Sequence, residues 1–452
     1  METKNQIISP FLYMFKSDKE EYLAYNGITN SFMKLNINLY DILLEAKNNF
    51  NVVNDLDKET YSILRKAKVI CTQQEIDDAI NQKKFLRQLD TFQHEYLNLT
   101  IAPTSACNFS CPYCFEKGIK YRTMNNKVVN ALVDFISNKS KITNNSVSIT
   151  WYGGEPLLAI DKIDKIITEI KNRGVKIIYN GIITNGYYLS KKNQEILKKH
   201  NIRFIQVTLD GANAETHNRR RFNKDGSGSW DTILKNLDIL INDKDFDVDN
   251  VSIRCNIDKK NKDEYEKLKS ELLKRWDNDK RLFIHSAILQ DYNKDSNIEC
   301  SYISDNEASE YLIKQARKEK NIPYFSYNIG GCSATRLNSY LVGPEGELYK
   351  CWNDLGRKDR VVGNIFNDKI ENKELLFNFL ASPTMFEDEA CLKCPLFFVC
   401  DGGCQANRID NYINNSNKNL CHFSKGYLDK YLSAYYELKK QEKKFTFEKL
   451  NI

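Results

Sequence analysis

The sequence lacks a dominant charge. Its 66 Lys and Arg against 60 Asp and Glu leave a net +6 over 452 residues, spread along the chain and too mild to call for a nucleic-acid partner. It also lacks any apolar run approaching the ~18 residues that cross a bilayer, stretches such as 201–209 being only strand length, so no membrane partner is expected. The opening METKNQIISPFLYMF has no basic n-region, apolar h-region or small-residue cleavage site, which makes a cytoplasmic location the expectation. Low-complexity segments and tandem repeats are missing too. What remains is an ordinary globular composition, 41% hydrophobic and 12% aromatic, with length for about two to four domains that each bury a core.

Cysteine is what the sequence has in quantity. Thirteen of them in a cytosolic chain are expected as thiols, so metal ligation or redox work explains them better than a disulfide framework. Eight of the thirteen lie at or beyond Cys300.

Residues 11–35 alternate loosely between apolar and polar and break at Asn26-Gly27, the signature of a β-hairpin. Helical spacing follows over 39–49, 58–69 and 73–89, and together these segments suggest an N-terminal α+β domain over 1–92. From 97 the texture changes to strand-then-helix alternation. Strands are expected at 97–101, 147–151, 176–184, 203–209, 251–257 and 281–289. Helices are expected at 126–139, 161–172, 190–200, 230–241, 263–274 and 305–320. Such alternation argues for parallel strands with right-handed crossovers, an α/β barrel or open sheet. Six units fall short of the eight of a full TIM barrel, so 93–325 reads as a partial (β/α)6 barrel. After about 330 the periodicity fails, and 326–452 reads as a Cys-rich, metal-stapled domain with a last helix near 426–443 and a polar tail.

Cys107, Cys111 and Cys114 follow the first barrel strand, at the mouth where α/β barrels keep their chemistry. At this cysteine frequency the spacing arises by chance in roughly one such chain in a hundred. Three thiolates fill three corners of a [4Fe–4S] cluster and leave one iron for a substrate or cofactor. A zinc site would want a fourth Cys or His, and none lies close in sequence. Downstream, Cys332, Gly346-x4-Cys351, Cys391-x2-Cys394-x5-Cys400-x3-Cys404 and Cys421 form a second dense set that suits zinc or iron–sulfur ligation alike. Polar groups also collect at the ends of the second, third and fourth strands. There stand Gly153-Gly154-Glu155-Pro156, Thr184-Asn185-Gly186 and Asp210-Gly211. Paired glycines let backbone approach a ligand and a carboxylate accepts charge-assisted hydrogen bonds from an ammonium, although the same tetrapeptide also makes a turn capped by its Glu.

Cys107-Asn-Phe-Ser-Cys111-Pro-Tyr-Cys114 resembles the radical S-adenosylmethionine (SAM) signature, with Tyr113 in its aromatic position. Gly153-Gly154-Glu155-Pro156 resembles that family's Gly-Gly-Glu-Pro motif. The resemblance implies that the three cysteines hold a SAM-binding [4Fe–4S] cluster and that Tyr113, Gly153, Gly154, Glu155 and Pro156 help to bind SAM. Thr184, Asn185 and Asp210 fall where family segments touch its ribose and carboxylate, and Arg221 where a basic residue meets the carboxylate. His217, four residues earlier, reads better as a structural loop histidine.

The downstream cysteines resemble the SPASM extension of radical SAM enzymes, which carries two auxiliary [4Fe–4S] clusters. The resemblance implies that Cys391, Cys394, Cys400 and Cys421 hold the outer cluster and Cys332, Cys351 and Cys404 the inner one, which then lacks a fourth ligand. Cys255 and Cys300 are candidates for that vacancy but read better as free thiols, and Cys71 as a core residue. SPASM members act mainly on peptides and proteins, and the N-terminal hairpin-plus-helices unit resembles a precursor-recognition element that takes a leader peptide as an added strand. The implied enzyme cleaves SAM to a 5′-deoxyadenosyl radical, with a low-potential donor such as a flavodoxin or ferredoxin. It abstracts a hydrogen from a ribosomal precursor peptide and installs a cross-link, a Cys thioether for preference. An alternative is oxidation of a protein Cys or Ser in the manner of anaerobic sulfatase maturases. Those enzymes usually carry an Asp directly after the cysteine of Gly-x4-Cys, where this chain has Trp352, with Asp354 two residues on. A remoter alternative is a zinc-stapled binding protein.

Overall fold

A computed structural model of the chain describes residues 5–290, 301–327, 331–367, 369–421 and 426–441. Cys300 and the polar tail lie outside them. The chain divides into two compact units, one of Met1–Phe92, Asp305–Thr335 and Ala381–Ile452, the other of Gln93–Ser304 and Arg336–Leu380.

The first unit begins with β1 (Gln6–Ile8), β2 (Leu12–Lys16), β3 (Tyr22–Asn26), β4 (Ser31–Leu35), α1 (Ile37–Ala46), α2 (Lys58–Lys66), β5 (Ile70–Thr72) and α3 (Gln73–Thr91). The Asn26-Gly27 signal does mark a hairpin, between β3 and β4, but β2 joins it to make a three-stranded antiparallel sheet in the order β2-β3-β4. One face of these elements closes a core of its own with Leu12, Leu35, Leu43, Leu64 and Ile70. Other side chains do not. Leu23 and Tyr25 pack with Leu396, Leu428 and Leu432, and Phe11, Cys71 and Ile76 pack with Met385, Phe397 and Phe398. The N-terminal segment and the cysteine-rich tail therefore share their hydrophobic interior, and Cys71 is one of its core residues. Helix α3 starts at a capping box in which Thr72 and Glu75 satisfy each other's backbone N–H, the reciprocal arrangement that fixes a helix start.

In the second unit the strand–helix alternation is realised. Its elements are β6 (Leu97–Ile101), α4 (Asn126–Ser140), β7 (Ser146–Trp151), α5 (Ile160–Asn172), β8 (Lys176–Thr184), α6 (Lys191–Lys199), β9 (Phe204–Thr208), α7 (Ala214–Asn218), α8 (Trp230–Asn242), β10 (Asn250–Ile257), α9 (Tyr265–Arg275) and β11 (Leu282–Ile288). The six strands run parallel in sequence order, as a partial TIM barrel requires. Beyond β6 the sheet continues through β12 (Ser339–Val342), parallel to β6, and then the antiparallel β13 (Glu347–Tyr349), β14 (Gly363–Asn364) and β15 (Lys369–Ile370). Strands of two to four residues carry no legible period, which is why this part reads as irregular in the sequence.

The barrel strands alternate as a two-sided sheet demands. Leu97, Leu99, Ile101, Val147, Ile149 and Trp151 are all buried. Their neighbours Asn98, Thr100, Ser148 and Thr150 instead line a cavity of about 450 Å³ with Tyr96, Ile178, Tyr179 and Trp352. Among the described residues no helix is long and apolar enough to cross a membrane. Ile149 has no exposed surface, so Ile149→Ala should cost about 2–5 kcal/mol through the cavity it leaves, read as a lowered urea midpoint at unchanged slope.

Candidate active site

The loop after β6 carries Cys107, Cys111 and Cys114 to the C-terminal mouth of the barrel and is stitched there to the exit of β7. The Tyr152 N–H donates to the Ile101 carbonyl at 2.9 Å, that of Gly154 to Thr104 at 3.2 Å and that of Glu155 to Ala106 at 2.8 Å. A Cβ on Gly153, whose φ is +109°, would stand 2.4 Å from the Thr104 oxygen, and one on Gly154 would stand 2.4 Å from the Ala106 oxygen. Only glycine allows two backbones this close. Glu155 has no exposed surface. Its Oε1 accepts from the Leu157 N–H at 3.0 Å and the Thr184 hydroxyl at 2.7 Å, and its Oε2 from the Asn185 N–H at 2.7 Å. It caps the short turn of helix Pro156–Ala159 and pins the end of β8 at once. Burial pushes its pKa up, and the three donors pull it back. Asn185 in turn donates through Nδ2 to Asn108 at 2.8 Å, and the same nitrogen lies 3.8 Å from the Cys107 sulfur.

The ends of β9 and β10 meet the same loop through Tyr113. Its hydroxyl donates to Asp210 Oδ2 and accepts from Arg221 Nη1 at 2.8 Å and Asn256 Nδ2 at 3.4 Å. The guanidinium of Arg220 lies 5.3 Å from the Tyr113 ring centre and pairs with Asp258 at 2.8 Å. Arg221 lies 5.5 Å from the centre of the Phe109 ring. Burial opposes the Arg221 charge, but Tyr113, Cys111 and Asp210 hold it on. His217 is fully buried, accepting at Nδ1 from the Asp210 N–H at 3.2 Å and meeting Ser229 Oγ through Nε2 at 3.0 Å.

Burial raises all three thiols, Cys107 and Cys114 to about 12. Beyond burial, Cys107 and Cys111 raise Cys114, and Arg221 lowers Cys111. The three sulfurs therefore feel one another and face a fixed cation. Next to Cys114 in the chain a line of three rings begins. Phe115 stacks on Tyr152 at 6.4 Å between centres and Tyr152 meets Trp352 at 5.2 Å.

Residues 101–272 match the family described as the radical SAM superfamily. Residues 101–272 of this chain therefore form a radical SAM domain. It is 25% identical over 271 residues to the radical SAM cyclopropyl synthase TigE of Paramaledivibacter caminithermalis, an alignment covering 53% of this chain and 55% of that protein. The chain thus spans about half the length of that relative. It is 23% identical to the cysteine-type anaerobic sulfatase-maturating enzyme of Clostridium novyi over 75% of this chain and 96% of that enzyme. Among solved structures, anSMEcpe with bound AdoMet and the Cp18Cys peptide superposes with a TM-score of 0.60 at 21% identity, covering 77% of this chain and 99% of that one. Streptococcus suis SuiB bound to the precursor peptide SuiA gives 0.51 at 17% identity over 90% and 97%.

A radical SAM domain binds SAM and a [4Fe–4S] cluster, which together supply its radical chemistry when bound. The donor set suits the cluster. Cys107, Cys111 and Cys114 share one loop at the barrel mouth, and Arg221 offsets the charge that their deprotonation would bring. Among the described residues no three His, Cys, Asp or Glu side chains converge tightly enough to grip one metal ion. A cluster asks less convergence, because each thiolate holds a different iron.

The remaining cysteines fall in both units. Cys351 follows β13 in the radical SAM unit, and Cys332, Cys391, Cys394, Cys400, Cys404 and Cys421 belong to the first. Cys332, Cys404 and Cys421 are exposed. Cys391 accepts from Arg408 Nη2 at 3.5 Å and Cys400 from the Gly402 N–H at 3.3 Å. Gly403, at φ +76°, packs against the Leu420 carbonyl, where an added Cβ would stand 1.8 Å away. That contact brings the Cys404 turn to the residue before Cys421. Cys255 is buried on β10. Sequence reasoning missed Asn256, Arg220 and Asp258 at the barrel mouth, although a polar residue ending a barrel strand is the signal that found Thr184 and Asp210.

Both Glu155 oxygens are accepters in this arrangement. Glu155→Gln sets an amide N–H against a backbone or hydroxyl donor and should cost about 1–3 kcal/mol, measured by chemical denaturation of the cluster-free protein.

Proposed function

We propose that this radical SAM enzyme is a cytoplasmic peptide maturase that installs a cross-link, a cysteine thioether, on a ribosomally made precursor peptide. The observation that carries the reading is the make-up of the first unit. It joins a small antiparallel sheet, whose strand β4 pairs only with β3 among the described residues, to a tail with five SPASM-like cysteines. An edge strand is a surface to which an extended peptide adds by main-chain hydrogen bonds. The relatives support a peptide substrate, since SuiB and anSMEcpe are each described with a bound peptide.

In this reading residues 1–92 capture the leader, 93–325 perform the radical chemistry and 326–452 supply two auxiliary clusters. Tyr113, Gly153, Gly154, Glu155, Pro156, Thr184, Asn185, Asp210 and Arg221 surround SAM, with a flavodoxin or ferredoxin as donor. Seven cysteines for two clusters leave one iron position without a protein sulfur, which suits a substrate thiolate. A sulfatase-maturase-like oxidation is favoured by the full-length match to the Clostridium novyi enzyme. Against it stand Trp352 in the place of the expected Asp and the engagement of the nearest candidate, Asp354, which is buried and accepts from Arg357 at 3.3 Å.

Iron and sulfide content after anaerobic reconstitution tests the cofactor set. About twelve irons in the wild type and about eight in a Cys107→Ala/Cys111→Ala/Cys114→Ala variant are expected at four irons per cluster, whereas about four falling to none would remove the auxiliary clusters. The product is tested by high-resolution mass spectrometry of the precursor peptide. Each thioether removes two hydrogens, and SAM cleavage with an unchanged peptide would refute the cross-link.

A further inference from the structure

Two buried cations face the cysteine-rich tail of the first unit and have no part in the reaction described above. Arg408, 5% exposed, clamps three points of the loop that carries Cys391, Cys394 and Cys400. Its Nη1 donates to Asp388 at 2.8 Å, and its Nη2 donates to the Gly402 carbonyl at 2.8 Å and to the Cys391 sulfur at 3.5 Å. Lys83, 8% exposed, arrives from helix α3. It donates to the Phe398 carbonyl at 3.0 Å and lies 5.9 Å from the centre of the Phe397 ring. Burial pushes its pKa down to about 8, with Asp401 and Cys400 only partly opposing the fall.

A buried cation persists where it is paired and hydrogen-bonded. Asp388 meets that need for Arg408, and the Phe398 carbonyl supplies the hydrogen bond for Lys83. Neither contact explains why one cation touches a cysteine sulfur and the other sits on the turn that leads into Cys400. Cys391 accepts an N–H from Arg408 and Cys400 accepts one from Gly402, while Lys83 is anchored on the Phe398 carbonyl two residues before Cys400. Hydrogen bonds to sulfur and the net charge around a cluster are two of the terms that set its reduction potential. Positive charge favours the reduced form, which carries one more electron.

We propose that Arg408 and Lys83 raise the reduction potential of the auxiliary cluster bound through Cys391 and Cys400, with Lys83 acting from the N-terminal helix α3. The inference rests on the reading that these cysteines hold an iron–sulfur cluster. Both residues act through the sulfurs and are positioning residues, touching no substrate.

The test is a redox titration of the reconstituted full-length enzyme, followed by electron paramagnetic resonance. Wild type is compared with Lys83→Met, Arg408→Gln and Arg408→Lys. In Lys83→Met and Arg408→Gln the auxiliary midpoint should move negative, lowering the reduced-to-oxidised ratio at the wild-type midpoint about tenfold, or ~59 mV for one electron. Arg408→Lys keeps the charge and should restore most of the shift. A full iron complement with unmoved midpoints in both charge-removing variants overturns the inference and leaves the cluster assignment standing. A wild type with only about four irons overturns both. If Arg408→Gln sheds the cluster because the clamp is lost, Lys83→Met decides alone, and an unmoved midpoint there overturns the proposal.

Discussion

A carboxylate with no exposed surface, Glu155, is the joint on which the mouth of the barrel depends. Its backbone N–H reaches the loop leaving β6, its peptide unit follows β7, and its two oxygens take the first N–H of the Pro156–Ala159 turn and both donors at the end of β8. Burying a carboxylate without a cation is expensive unless its lone pairs are filled, and here three donors fill them. The two glycines ahead of it are the steric half of the same joint, since a side chain on either would collide with the carbonyls of Thr104 or Ala106. The cysteine loop stands where it does because these four residues leave it no other place.

Protonation states at the mouth are fixed by the same logic. The Asp210 N–H donates to His217 Nδ1, so that nitrogen is unprotonated and the ring's proton is on Nε2, facing Ser229 Oγ. Ser229 then donates to the Arg221 carbonyl at 2.7 Å. An imidazolium could not accept from Asp210, and burial together with Arg221 and Arg220 keeps the ring neutral. This neutral relay holds the backbone of Arg221, whose side chain holds Tyr113 and offsets the thiols. His217 thus supports the site through the backbone of Asp210 and the hydroxyl of Ser229.

The strand–helix alternation was legible because each barrel strand shows one face to the helices and one to the lumen, a period of two that survives in Leu97-Asn98-Leu99-Thr100-Ile101. The cysteine triad and Gly-Gly-Glu-Pro were legible because their residues are adjacent in the chain. Three things were not. The short strands from β12 to β15 are too brief to show a period, and their pairing is decided by the sheet edge they extend. The inward turn of Glu155 depends on Thr184 and Asn185, which local sequence does not connect to it. Lys83 meets the Phe398 carbonyl across 315 positions, and a lone Lys on a charged helix reads as a solvated face.

The same distance in sequence bears on how the first unit works. Phe11 has no exposed surface, and its ring meets those of Phe397 and Phe398 at 5.7 and 5.0 Å. Those rings fill the stretch between Cys394 and Cys400. The turn that joins β3 to β4 is equally tight, for a Cβ on Gly27 would stand 2.0 Å from the Pro395 carbonyl, one residue past Cys394. A close-packed interior transmits displacement, because few voids exist to absorb it. A peptide strand added to β4 would therefore press on a turn that already touches the cysteine loop. The N-terminal strands and the cysteine loop of this unit share one core, so an N-terminal segment transplanted from a relative would have to reproduce Phe11, Gly27 and Lys83 at their present contacts before the cysteines could keep their arrangement.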